Sequence, residues 1–261
     1  MRNHNPSNWL MNVVVGAAVS VAACSPPEPI VPSGPNLEAA KGAANSVHAM
    51  LDLHGKPLDN LLAKLEGGLP LPDALTATLA AARAQLPEHA PIVVYAAKQR
   101  FVASDALPEG PPMTRYLIPA VRRAMASGQS LVTDLWIDQA KQPWVTLVRV
   151  RGTGDKQLAA ATVLRVDGAH LQAQLEALPR GGTKEVQVLD GAGVALWSSN
   201  KAQRFKSAVH GTYLVDQVRL GAPVQTRCHS CHEGPDKKVQ REDIVVTAVP
   251  VTGSAWSVVV H

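Results

Sequence analysis

The chain is 261 residues long, 46% hydrophobic and 18% charged, with a formal net charge of +4. That length and apolar content allow one large domain or two small lobes with a substantial core. Acidic and basic residues interleave, as at Glu233, Asp236, Lys237, Lys238, Arg241, Glu242 and Asp243, which gives a solvated mixed-charge surface and excludes an extended nucleic-acid-binding face.

Residues 9–23 form an uncharged apolar run preceded by Arg2. The run is short for a membrane span and fits the core of an export signal. It ends Val21-Ala22-Ala23-Cys24-Ser25, which resembles the lipobox of bacterial lipoproteins. The resemblance implies a signal peptide over residues 1–23, cleavage before Cys24 and lipidation of its thiol. The protein would then be periplasmic and lipid-anchored. Serine rather than aspartate after the cysteine resembles the pattern of lipoproteins sorted to the outer membrane, which is favoured over the inner one. An ordinary signal peptide cleaved nearby is the alternative. Pro26, Pro27, Pro29, Pro32 and Pro35 make residues 24–35 an extended, semi-rigid linker.

Residues 36–90 read as helical. Leu37, Ala40, Ala44, Val47 and Leu51 fall at three- and four-residue steps, which predicts a helix over 36–54. Gly55-Lys56-Pro57 should end it, with a second short helix over 58–65 and a third over 72–85. Residues 91–180 change texture. Strands are predicted at 92–97, 100–104, 131–137, 144–151 and 158–166, with helices at 114–127 and 169–178. Residues 181–261 form a second strand-rich unit. Val186, Val188, Val194 and Leu196 flank Asp190-Gly191-Ala192-Gly193, a hairpin signal. Residues 213–220 are ambiguous, 221–241 read as loop, and 244–251 and 256–260 as strands.

The loop carries Cys228-His229-Ser230-Cys231-His232. Two thiols two residues apart, followed at once by histidine, have the spacing of a c-type haem attachment site. Each thiol would form a thioether with one haem vinyl, and His232 would be the proximal iron ligand. A disulfide, half of a zinc site and a redox-active pair are the other readings. The chain has 3 cysteines, and with Cys24 assigned to the lipobox no second pair remains to complete a zinc site. The sixth iron ligand is open among His210, Met113, Met125, His170, His229 and His261, with His210 and Met113 preferred. No nucleophile elbow, phosphate loop or zinc-binding helix is present, so nothing marks an enzyme.

Three stretches, residues 128–138, 186–199 and 246–260, resemble the double Cache sensor domains of bacterial receptors. The resemblance implies an α+β fold with N-terminal helices followed by two PAS-like antiparallel-sheet lobes, the haem lying in a loop of the second. It also implies a small-ligand pocket in the first lobe, at Arg115, Tyr116, Asp134 and Trp136, where arginine and aromatics could hold a carboxylate.

Together these features predict a periplasmic monohaem c-type cytochrome, with one covalent haem c per chain, exchanging single electrons with a protein partner. The alternative is a haem-based or small-ligand sensor that acts through a separate signalling partner. No nucleic-acid partner is expected.

Overall fold

The computed structural model describes residues 28–97, 100–105, 111–208, 211–229 and 243–261. After a short strand, β1 (Glu28–Ile30), comes an unbroken helix, α1 (Gly34–Leu65), followed by α2 (Pro72–Arg83). The predicted stop at Gly55 and Pro57 does not occur. Both residues lie inside α1, whose buried face runs from Ala40 and Val47 through Leu58 to Leu65.

Gly55 has a packing role rather than a terminating one. A Cβ at this position would collide with the guanidinium of Arg149. Arg149 crosses the helix here, and its Nη2 donates to the Leu51 carbonyl at 3.4 Å and to Asp52 Oδ1 at 3.0 Å. Its Nε pairs with Asp59 at 3.4 Å. Pro57 removes the N–H that would have bonded the Leu53 carbonyl. Leu53 is half-exposed, so water can reach that carbonyl instead.

The first lobe is built on β2 (Ile92–Ala96), β3 (Arg100–Asp105), β4 (Leu131–Val132), β5 (Trp136–Ile137), β6 (Pro143–Arg151) and β7 (Leu158–Arg165). The order is β3-β2-β7-β6-β4, with β5 also on β6, and every pair is antiparallel. Side chains alternate between the faces of the sheet, and here both faces are covered. Ile92, Val94, Val145, Leu147, Ala160 and Leu164 join the core with α1 and α2. Val93, Tyr95, Val148, Ala159, Ala161 and Val163 face α3 (Pro111–Ser127) through Leu117, Ala120, Val121 and Ala124.

After α4 (Ala169–Glu176) comes the second sheet, made of β8 (Val186–Leu189), β9 (Ala195–Ser198), β10 (Val224–His229), β11 (Asp243–Pro250) and β12 (Ser257–Val260), with β1 (Glu28–Ile30) at one edge. Its order is β1-β10-β11-β12-β8-β9. Val186, Val188, Val258 and Val260 extend the core beneath α1, while α5 (Gly211–Val218) covers the opposite face through Leu214, Val215 and Val218. The fold is therefore α+β, with N-terminal helices and two antiparallel sheets.

Four local expectations change. Part of the predicted linker is β1, paired through Glu28↔Arg227 to Ile30↔Gln225. Residues 131–137 make two short strands interrupted at Thr133-Asp134-Leu135. The ambiguous segment near 213–220 is α5. Part of the predicted loop is β10, which places Cys228 opposite Ile244 and His229 opposite Asp243. The remainder of the Cys-His-Ser-Cys-His motif, and with it the expected haem loop, lies outside the described residues.

An ordinary Gly→Ala change inside a helix is stabilising by up to ~1 kcal/mol. Gly55→Ala should instead destabilise, by about 1–3 kcal/mol, because it displaces the paired Arg149 side chain. Combining it with Arg149→Ala should remove most of that penalty. Denaturant unfolding of the four members of this double-mutant cycle measures the coupling.

Candidate functional site

Three aromatic rings form a stack at the end of the first sheet. Tyr116 of α3 lies over Trp136 of β5, with centroids 4.7 Å apart and planes at 11°. Trp136 in turn stacks on Trp144 of β6 at 6.0 Å and 19°. Helical phase places Tyr116 beside Leu117 and Ala120 over the sheet, while the Trp136↔Trp144 register sets the two indoles side by side. Each indole N–H has an acceptor. Trp136 Nε1 donates to Thr146 Oγ1 at 3.3 Å, and Trp144 Nε1 donates to Asp138 Oδ2 at 3.0 Å. Such rings offer a rigid apolar wall with fixed orientation.

The interruption between β4 and β5 reaches across to the second lobe. Thr133 N–H donates to the Thr146 carbonyl at 3.0 Å, and Thr146 N–H donates to Thr133 Oγ1 at 2.9 Å. The Thr133 carbonyl accepts from Trp256 Nε1 at 3.1 Å. The next two residues exchange hydrogen bonds with the β8–β9 turn. Leu135 N–H donates to Asp190 Oδ2 at 2.9 Å, and Gly191 N–H donates to Asp134 Oδ1 at 2.9 Å. Asp190 Oδ1 also accepts from Ala192 and Val194 N–H at 2.9 and 2.8 Å. Position 191 needs glycine, because a Cβ there would come within 2.7 Å of Asp134 Oδ1. Asp190 is only 1% exposed. Burial pushes its carboxyl up and the nearby Asp134 carboxylate adds to this, against the three backbone N–H donors.

A cavity of about 100 Å³ lies beyond Trp144, bordered by His54, Glu88, Arg165 and His170. His54 is buried, with Nε2 2.9 Å from Gln174 Oε1 and its ring edge-on to His170 at 5.5 Å. Burial lowers its pKa, the Gln174 hydrogen bond opposes this, and His170 lowers it further.

Of the residues expected to form the ligand pocket, Tyr116 and Trp136 come together. Asp134 is close in sequence to Trp136, and its carboxylate is engaged by Gly191. Arg115 precedes Tyr116 on α3, but its side chain is outside the described residues, as is that of Met113. Cys24, His210, Cys231 and His232 also lie outside them, and Cys228 is placed only by its backbone in β10. Of the other iron-ligand candidates, His170 packs on His54 and His261 is largely buried, with its N–H bonded to the Glu185 carbonyl. Sequence reasoning missed Trp144 and Asp190. The alternation of Trp144, Thr146 and Val148 along β6 could have shown Trp144 on the Trp136 face. Asp190 was visible only as a turn residue.

No protein-family model and no curated protein sequence matches the chain. Solved structures do. The ligand-binding domain of the Pseudomonas aeruginosa amino-acid chemoreceptor PctC, in complex with GABA, has a TM-score of 0.54 at 16% identity, covering 86% of this chain and 96% of that one. The sensory domain of the Campylobacter jejuni chemoreceptor Tlp3, with isoleucine bound, gives 0.57 at 14% identity, covering 86% and 89%. The extracellular domain of a candidate histidine kinase, mmHK1S-Z2, gives 0.64 at 12% identity, covering 85% and 94%. The chain therefore has the Cache-type fold of extracellular ligand-binding sensor domains.

This finding overturns the expectation of a monohaem cytochrome. The chemoreceptor domains that share the fold hold amino-acid ligands rather than haem. Among the described residues no group of three or more His, Cys, Asp or Glu could hold a metal ion. The expectations of a haem c cofactor and of electron transfer are corrected accordingly, while Cys231, His232 and His210 and the side chains of Cys228 and Met113 lie outside the described residues. The physical reason is that cysteine–histidine spacing reports only what five residues can reach. It says nothing of a surrounding haem crevice, and Cys228 lies in a strand of the sheet ladder.

The lowered pKa of His54 makes stability depend on acidity. The unfolded chain takes up a proton at the ordinary value of 6.5, whereas folded His54 resists it. Stability is therefore present above pH 6.5 and is lost as pH falls toward the depressed folded value. Buried His261 acts in the same direction, with Glu185 opposing. Thermal melts should fall between pH 7 and pH 5, and His54→Gln should flatten part of that slope.

Proposed function

We propose that this chain is an extracytoplasmic sensor domain whose first lobe binds a small carboxylate-bearing ligand of the amino-acid class, and that a separate signalling protein reads the bound state. The observation that carries the reading is the Tyr116–Trp136–Trp144 stack between α3 and the first sheet. It stands in a fold whose chemoreceptor examples are complexes with GABA, L-alanine and isoleucine. The aromatic wall supplies apolar contact and orientation. Arg115, one residue before Tyr116, supplies the charge complement for a carboxylate. The arrangement of residues 24–35 and 36–90 ahead of lobes 91–180 and 181–261 fits a module held at a membrane from its N-terminal side. Among the described residues no helix is long and apolar enough to cross a membrane.

Titration calorimetry and thermal shift with the common L-amino acids and GABA test the reading. A ligand at one hundred times its Kd should stabilise the protein by about 2.7 kcal/mol. Trp136→Ala should weaken binding more than tenfold, roughly the loss of one aromatic contact. Absence of any stabilising ligand, or unchanged affinity in Trp136→Ala, overturns the proposal.

We also infer that Cys24 carries a lipid anchor, because the Val21-Ala22-Ala23-Cys24 sequence has the pattern of a lipobox. Cys24→Ala should move the protein from the membrane fraction to the soluble periplasm. Gradient separation of the two membranes should find the parent protein in the outer one.

A further inference from the structure

We propose that Asp190 of the second lobe is a positioning residue for the first-lobe site, and that the Asp134–Asp190 exchange couples occupancy of that site to the β8–β9 turn. The proposal rests on Tyr116 and Trp136 forming the ligand site.

The connection is short and made of named bonds. Trp136 is held through its indole by Thr146 Oγ1. Thr146 is held through its N–H by Thr133 Oγ1. Thr133 is tied through its carbonyl to Trp256, and its neighbours Asp134 and Leu135 exchange hydrogen bonds with Gly191 and Asp190. Arg219, which follows α5, donates to the Gly191 carbonyl at 2.6 Å, so the turn is fastened from behind. β4 and β5 are two residues each, and among the described residues they pair with β6 alone. Few ladder bonds therefore hold residues 131–137 in place, and the cross-lobe bonds fix much of their conformation. A ligand that shifts Trp136 must strain or relax the Asp190 bonds. By linkage, a change at Asp190 must alter ligand affinity by the same factor.

Asp190 is buried and unable to hydrate, so it cannot leave its donors without a replacement. The junction is thus bistable in kind, either made or broken, rather than continuously adjustable.

The test uses the ¹⁵N-labelled full domain and the indole N–H resonances of Trp136 and Trp256. Asp190→Asn loses charge and part of its acceptor capacity. In the ligand-free protein it should shift both indole signals. It should also change the Kd for L-alanine, L-isoleucine or GABA by about tenfold, within the usual span of allosteric coupling. Binding of such a ligand to the parent chain should shift the Trp256 indole. If Asp190→Asn does not fold, Asp134→Ala removes the acceptor of the Gly191 N–H at an exposed position and makes the same prediction. A shift confined to Trp256, with Trp136 unmoved and Kd within twofold of the parent, overturns the proposal. If no member of the panel binds the parent, the ligand reading fails, while the ligand-free comparison of Trp136 and Trp256 still decides the latch.

Discussion

One helix must bury its apolar stripe against two sheets. Val47, Leu51, Leu58, Leu61 and Leu62 of α1 share a core with Leu147 and Leu164 of the first sheet and with Val186, Val188 and Val258 of the second. At a rise of 1.5 Å per residue, 32 residues span about 48 Å, which no pair of shorter helices would cover without a break over the junction. Continuity through Gly55 and Pro57 follows from this demand. Tertiary burial outweighs the local helix penalties of both residues, and the Arg149 side chain occupies the space that glycine leaves. The same residue fixes the register of α1 on β6 by bridging Asp52 and Asp59, which lie two turns apart on one face of the helix.

Where the two lobes meet at residues 133–135, polar backbone that the sheets leave partly unpaired must find partners across the junction. Thr133 keeps a backbone bond to Thr146 of β6, while its carbonyl, the Asp134 carboxylate and the Leu135 N–H find partners in Trp256 and the β8–β9 turn. A buried carboxylate is costly unless hydrogen-bonded. Asp190 meets this condition with three backbone donors, two from its own turn and one from the other lobe. Aspartate here serves both as turn former and as inter-lobe contact, which is why the turn sequence alone disclosed only the first role.

The parts legible in the sequence are those governed by local period. The continuous apolar run of β7 and the alternation along β6 place strands correctly, because burial on one or both faces dictates residue type at each position. The Gly-rich hairpin at 190–193 is visible because a turn imposes its own chemistry, as Gly193 shows at φ 80°. What is not legible depends on a distant neighbour. Gly55 reads as a stop until Arg149 is in place. Residues 131–137 read as one strand until Asp190 is seen to draw the middle away. The sequence groups Tyr116 with Trp136, and the two do stack, but it leaves out Trp144, since only the β5–β6 register brings that residue into the stack. The cysteine–histidine motif shows the opposite failure. Its local chemistry is specific, yet five residues do not determine what the other elements assemble around.

The distribution of backbone pairing also indicates where such a domain can respond. β6 and β7 pair over eight residues, from Trp144↔Arg165 to Arg151↔Leu158, and are buried on both faces. They form the frame. β4 and β5, on the edge of that frame, contribute only two residue pairs each. Elements that move on ligand binding come from the less stable end of a structure, where few backbone bonds must be broken. Trp136 stands on such an element while its stacking partner Trp144 stands on the frame. A ligand that inserts against the stack can therefore displace one ring relative to a fixed reference. The displaced segment is the same one that hydrogen-bonds Asp190. On the proposed reading, sensitivity at the site and communication between the lobes share one physical origin in the short, interrupted pairing of residues 131–137.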